Sequence, residues 1–122
     1  MATVLVVDDE PDILLLHRLN LEAAGYEVIL AADGMTALER IAEKRPDCVV
    51  LDVMMPVLDG WGVLERLQAV ESPPPVLVVS AKSTQADIEN AKRLGAQDYL
   101  IKPFDRDILI ARVGALLSPA QP

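Results

Sequence analysis

Residues 49–67 read VVLDVMMPVLDGWGVLERL. The stretch opens on a run of apolar residues with no alternation, the composition of a strand covered on both faces, and the run stops at an acid, Asp52. A loop follows and closes on Asp59-Gly60, after which Val63, Leu64 and Leu67 recur at helical spacing. The unit is therefore strand, acid-bearing loop, helix. Reading outward in both directions, the same unit repeats. Strands are predicted at Thr3–Val7, Tyr26–Leu30, Asp47–Leu51, Val76–Ser80 and Asp98–Ile101. The first helix opens at Pro11, a good first-turn residue, and stops near Gly25. The second is capped by Asp33 and turns Ala37, Leu38, Ile41 and Ala42 inward. The third starts after Gly60. Ser83 or Thr84 caps the fourth, which presents Ile88, Ala91 and Leu94 and ends at Gly95. Asp105 caps the fifth, which presents Leu109, Val113 and Leu116.

Strand and helix alternating in this way build a parallel sheet with helices on both faces. The strand chemistry also suggests an order. VLVV, CVVL and VLVV are apolar throughout, so the first, third and fourth strands are interior. YEVIL and DYLI mix in charge, so the second and fifth are edges. With right-handed crossovers the simplest arrangement of this doubly wound five-stranded sheet is 2-1-3-4-5.

The bulk composition fits one such domain. The chain has 122 residues, 52% of them hydrophobic and 25% charged, with only 3% aromatic, so its core must be aliphatic. One domain is expected over residues 1–122, with 118–122 a short flexible tail carrying Pro119 and Pro122. A net charge of -8 repels nucleic-acid phosphates and anionic lipids, which argues against direct nucleic-acid or membrane binding. The N-terminus MATVLVVDDE has no basic segment of the kind that opens a secretory signal. One cysteine, Cys48, cannot make an internal disulfide, so a reducing cytoplasm is the expected compartment.

In parallel α/β sheets, ligands bind beyond the carboxyl ends of the strands. At those ends lie Asp8, Asp9 and Glu10 after the first strand, Asp52 after the third, Ser80 after the fourth and Lys102-Pro103 after the fifth. The second ends in Ala31-Ala32, with nothing reactive. Carboxylates ~5 Å apart repel by roughly 3 kcal/mol at an effective dielectric near 20. A divalent cation relieves that repulsion, and few carboxylates with room for water favour Mg2+. Carboxylate, Mg2+, lysine and hydroxyl are the parts of a phosphoryl-transfer site. Asp52 stands alone opposite both the acid pair and the lysine, which makes it the nucleophile; Asp8 and Asp9 suit the metal.

Taken in order, VLVVDDEPD, VVLDVMMPVLDGWGVLERL, PPPVLVVSA and GAQDYLIKPF closely resemble the receiver domains of two-component response regulators, from Thr3 to about Leu117. The resemblance implies a flavodoxin-like fold and transfer of a phosphoryl group to Asp52 from a phosphohistidine on a sensor histidine kinase or phosphotransfer protein. It implies that Asp9 binds Mg2+ directly, Asp8 partly through water, and Met54 through its backbone carbonyl. Ser80 matches the switch hydroxyl, Tyr99 the switch aromatic, and Lys102–Pro103 a cis peptide. Met54 and Lys82, both long, match positions that restrict the hydrolytic water, which implies a slowly decaying phosphoryl group. Asp98 and Arg112 match a pair that bridges a homodimer through the fourth helix, fifth strand and fifth helix.

Other readings fit less well. A haloacid-dehalogenase-like phosphatase places its nucleophile after the first strand as D-x-D and adds a cap domain. A flavin module on this fold wants aromatics and a Ser/Thr-rich first loop, where this chain has Asp8-Asp9-Glu10. A receiver that has lost its chemistry would lack part of the acid, Ser80 and Lys102 set. Among the remaining residues, His17 and Cys48 read as packing residues, Trp61 as packing or a partner contact, and Ser72-Pro73-Pro74-Pro75 as a stiff approach to the fourth strand.

Overall fold

The structure, a computed structural model, describes residues 1–118; of the tail expected at 118–122, everything after Ser118 lies outside the described residues. Five strands alternate with five helices: β1 Thr3–Val7, α1 Pro11–Ala23, β2 Glu27–Ala31, α2 Gly34–Lys44, β3 Cys48–Asp52, α3 Gly60–Leu67, β4 Val76–Ser80, α4 Gln85–Arg93, β5 Asp98–Ile101 and α5 Arg106–Leu117. All strand pairs are parallel and the order is β2-β1-β3-β4-β5, as the strand chemistry required. β3 and β4 are buried along their whole length, whereas β2 and β5 are only partly covered. Among the described residues, no helix is long and apolar enough to cross a membrane.

Side chains alternate across the sheet and supply two cores. Leu5, Val7, Val49, Leu51, Val76 and Val78 point to the side covered by α2, α3 and α4. Val4, Val6, Val50, Leu77 and Val79 point to the side covered by α1 and α5, where Leu21, Leu109 and Val113 meet them. Cys48 belongs to the second core; burial pushes its thiol up to about 12, so it packs as a small apolar residue and is not a reactive thiol.

Several local expectations shift. β2 and β3 each begin one residue later than predicted. The Tyr26 N–H is taken by the Leu21 carbonyl at the end of α1, and the Asp47 carboxylate turns aside to accept the Thr3 N–H at 2.7 Å. Ala42 is exposed, because the inward stripe of α2 runs through Gly34, Ala37 and Ile41 with Leu38 at its edge. Asp105 stands at the N-cap of α5 but its side chain makes no capping hydrogen bond. Thr84 does cap α4: its hydroxyl accepts the Asp87 N–H at 3.1 Å while the Asp87 carboxylate accepts the Thr84 N–H at 3.3 Å.

Two packing features bear on the sheet's carboxyl edge. Gly60 opens α3 against the end of β3, and its N–H donates to the Val53 carbonyl at 2.8 Å. A Cβ there would sit 2.5 Å from the Asp52 carbonyl oxygen and 2.7 Å from Val53 Cα. His17 is buried on α1 and stacks on Phe104, ring centroids 5.7 Å apart. Neither ring nitrogen has a hydrogen-bond partner. Burial lowers its pKa; the Asp8 charge opposes that and the Lys102 charge adds to it.

Two outcomes follow from this packing. Gly60→Ala must push α3 away from β3, and urea denaturation should register a loss of about 1–3 kcal/mol, the range for an overpacked site. His17 is neutral in the fold and titrates lower there than in the unfolded chain. Its contribution to stability is therefore full above its ordinary value of 6.5 and lost as pH falls below it. Thermal melts between pH 7 and pH 5 should fall more steeply for the native chain than for His17→Phe, which keeps the stack; equal slopes would contradict this account.

Candidate functional site

The carboxyl edge of the sheet assembles one site from four strands. β1 delivers Asp8, whose carboxylate is buried and accepts the Glu10 N–H at 2.9 Å. That bond bends the chain outward, so the next residue, Asp9, is exposed. Glu10 becomes the N-cap residue of α1 without a side-chain capping bond, and Pro11 takes the first turn. The acid pair is thus not used as a helix cap. β3 ends on Asp52, buried, with Oδ1 accepting the Met54 N–H at 3.4 Å. β5 delivers Lys102, whose backbone N–H donates to the Ser80 carbonyl at 2.8 Å, one rung beyond the β4–β5 ladder. The Lys102–Pro103 peptide is cis.

These placements bring opposite charges together. Lys102 Nζ lies 3.1 Å from Asp8 Oδ2 and 3.7 Å from Asp52 Oδ2, so one ammonium bridges the ends of β1 and β3. Carboxylate oxygens of Asp8, Asp9 and Asp52 lie within 4.8 Å of one another. Burial raises the Asp52 pKa above the usual carboxylate range; Lys102 pulls it back, the Asp8 charge pushes it up again, and the backbone N–H groups of Met54 and Val53 lower it.

The donor set can be tested against a metal. All three side chains offer oxygen, which selects a hard cation. The three carboxylates, within 4.8 Å of one another, are close enough that a divalent cation could draw an oxygen from each into shared coordination. A cavity of about 460 Å³ opens beside Asp9 and is lined also by Met54, Asp59, Trp61 and Lys82, leaving space for the waters Mg2+ retains. The residues fit a divalent hard cation.

The switch candidates are joined by hydrogen bonds. Ser80 is fully buried and its hydroxyl oxygen accepts the Lys82 N–H at 3.0 Å. The Lys82 carbonyl in turn accepts the Tyr99 hydroxyl at 2.8 Å. One residue of the β4–α4 loop therefore connects Ser80 to Tyr99. The Ser80 hydroxyl also faces the Tyr99 hydroxyl, whose pKa burial raises and Ser80 lowers against that larger upward push. Arg112 Nη1 contacts both oxygens of Asp98 at 3.1 and 3.0 Å, so this pair closes within one chain.

One surface escaped the sequence reading. Leu15, Leu16 and Leu19 on α1 are 53%, 51% and 55% exposed. α1 is apolar on nearly every side, as ILLLHRLNL at 13–21 shows, and a single inward stripe cannot use that many leucines.

Comparison with known proteins agrees with this geometry. The family model for the response regulator receiver domain matches residues 4–114. The transcriptional regulatory protein PrrA of Mycobacterium tuberculosis is 48% identical over 114 residues, 93% of this chain and 49% of that protein. The alkaline phosphatase synthesis transcriptional regulatory protein PhoP of Bacillus subtilis is 45% identical, over 93% of this chain and 48% of that protein. The chain thus spans about half the length of the curated relatives it matches. Among solved structures, the receiver domain of Francisella response regulator 1452 superimposes with a TM-score of 0.91 at 36% identity, covering 96% of this chain and 97% of that one. The chemotaxis response regulator CheY4 of Vibrio cholerae gives 0.89 at 33% identity, covering 96% and 99%. With a flavodoxin-like sheet, an acidic edge and these relatives in agreement, the chain belongs to the family of response regulator receiver domains of two-component signalling.

Proposed function

We propose that residues 1–122 act as a phosphorylation switch in which Asp52 accepts a phosphoryl group from the phosphohistidine of a sensor histidine kinase or phosphotransfer protein. The observation that carries this reading is the Lys102 ammonium, held 3.1 Å from Asp8 and 3.7 Å from Asp52 within a three-carboxylate cluster. An Asp52 carboxylate oxygen forms the new bond to phosphorus, and the donor imidazole leaves with the electron pair of the P–N bond. Asp8, Asp9, Asp52 and the Met54 carbonyl would hold Mg2+, which when bound neutralises charge on the transferring oxygens. Lys102 keeps a second positive charge on the same oxygens. Ser80 turns its proton toward them and in doing so slackens its bond to Lys82. Tyr99, tied to the Lys82 carbonyl, then changes position with that loop, and the surface of α4, β5 and α5 changes with it.

The domain catalyses only its own phosphorylation and dephosphorylation on this reading. The exposed Leu15, Leu16 and Leu19 suit the apolar face of a kinase helix carrying the phosphohistidine. A homodimer through α4, β5 and α5 would require Asp98 and Arg112 to exchange their partner within the chain for one across a two-fold axis. Acidity keeps the domain itself off DNA and membranes, and we place it in the cytoplasm; the relatives named as transcriptional regulators extend to about twice the matched length.

Incubation with acetyl phosphate and Mg2+ should add one phosphoryl group by intact mass. Asp52→Asn or removal of Mg2+ with EDTA should abolish the addition, and Lys102→Ala should slow it about 100-fold. A full mass gain in Asp52→Asn would overturn the reading. Met54 and Lys82 are both exposed and line the cavity beside Asp9, where they restrict the approach of water to phosphorus. Met54→Ala and Lys82→Ala should each speed decay of the phosphorylated form several-fold in a time course followed by Phos-tag gels; unchanged decay in both would remove that role.

A further inference from the structure

A groove of about 830 Å³ lies at the opposite edge of the sheet, between the C-terminal ends of α2 and α3 and ahead of β3 and β4. No part of the phosphoacceptor site reaches it. Its apolar wall includes Leu38, Ile41, Pro46 and Pro74. Two guanidinium groups, Arg45 and Arg66, stand on its rim with one carboxylate, Glu71. Among the described residues neither arginine takes part in an ion pair; Arg66 only touches the Met35 sulfur at 3.6 Å. The rim is therefore net cationic on a chain whose net charge is -8.

The backbone around the groove is under strain. Among the described residues, three other than glycine have positive φ: Arg45 at 46°, Val57 at 69° and Ser72 at 53°. Two of them, Arg45 and Ser72, line this groove. Arg45 stands at the end of α2, where glycine would sit in the left-handed conformation without the roughly 1 kcal/mol penalty a side chain incurs. Dipole complementation does not require an arginine there, since Lys44 already supplies a cation in the last turn. Strain of this kind persists where the surrounding structure holds a side chain in place for a purpose. Ser72 makes the second reversal, and the three prolines after it stiffen the wall.

We propose that this groove binds a small amphiphilic anion: an apolar body seated against Leu38, Ile41 and Pro74, with a carboxylate or phosphate held between Arg45 and Arg66. The volume lies within the range of sites for small organic ligands. Guanidinium forks match both anion types, and charge-assisted bonds are stronger than neutral ones.

The test uses the whole chain and 8-anilinonaphthalene-1-sulfonate, a flat apolar anion, as the fluorescent probe, with neutral N-phenyl-1-naphthylamine as its comparator. Binding of the anion should saturate at one site, and amide shifts should centre on residues 38–46 and 66–74. Arg45→Gln combined with Arg66→Gln should weaken the anion by about tenfold or more and leave the neutral dye within about twofold. Val70→Asp, at an exposed edge residue of the groove, should also weaken it without endangering the fold. Octanoate or octyl phosphate should displace the probe, the stronger of the two identifying the preferred head group. A smaller loss in the double variant, an equal loss for the neutral dye, shifts centred on residues 99–112, or displacement by neither competitor overturns the assignment.

Discussion

Everything at the carboxyl edge depends on crowding like charges around one lysine. Two buried acids, Asp8 and Asp52, come from adjacent strands, and a third, Asp9, stands within 4.8 Å of them. Left alone, carboxylates at that spacing repel by roughly 3 kcal/mol per pair. The Lys102 ammonium offsets part of this by contacting two of them. It reaches the site because β4 separates β3 from β5 by a single strand and the Lys102 N–H is held by the Ser80 carbonyl. The order of strands is therefore a chemical requirement as well as a packing solution. A different neighbour for β4 would leave the acids without a fixed counter-charge, and a buried uncompensated carboxylate costs more than any single bond nearby returns.

That same arrangement sets opposing influences on Asp52. Desolvation holds the Asp52 carboxyl above its usual range while Lys102 pulls it down, so a small change of charge shifts the balance. In the proposed function, phosphorylation of Asp52 would be relayed through short, directional contacts. Ser80 is bonded to Lys82, and Lys82 to Tyr99, so the fully buried hydroxyl and the half-exposed ring share one loop residue. No long chain of packed side chains is needed to connect the edge of β4 with the surface of β5.

Much of this was legible in the sequence, for a physical reason: strands buried on both faces must be apolar throughout, so VLVV and CVVL declared the interior strands, and an acid or lysine just after such a run must lie at the carboxyl edge. The misses come from features with no local signature. Tyr26 looks like a strand residue, but its N–H is held by the Leu21 carbonyl at the end of α1; Asp47 lies one rung ahead of β3, its N–H on the Thr3 carbonyl at 2.8 Å while its carboxylate accepts the Thr3 N–H. Asp105 has the chemistry of a cap and lacks the geometry. The groove was hidden because an arginine in the left-handed region looks no different in sequence from any other arginine.

Helix α3 joins the two edges of the sheet. Its first residue, Gly60, packs against the Asp52 and Val53 backbone so closely that a single methyl would collide with it. Its last turn carries Arg66 and Leu67 into the groove. Eight residues of helix span about 12 Å and, with Val63 and Leu64 buried against the sheet, they move as a rod or not at all. A tilt at one end must therefore be felt at the other. If an anion seated between Arg45 and Arg66 shifts α3, it moves the backbone packed against the end of β3 where Asp52 stands, and the proposed phosphorylation of Asp52 then alters the affinity for that anion by the same factor. The interior offers no soft layer to absorb the displacement, since the sheet beneath α3 is fully buried aliphatic packing.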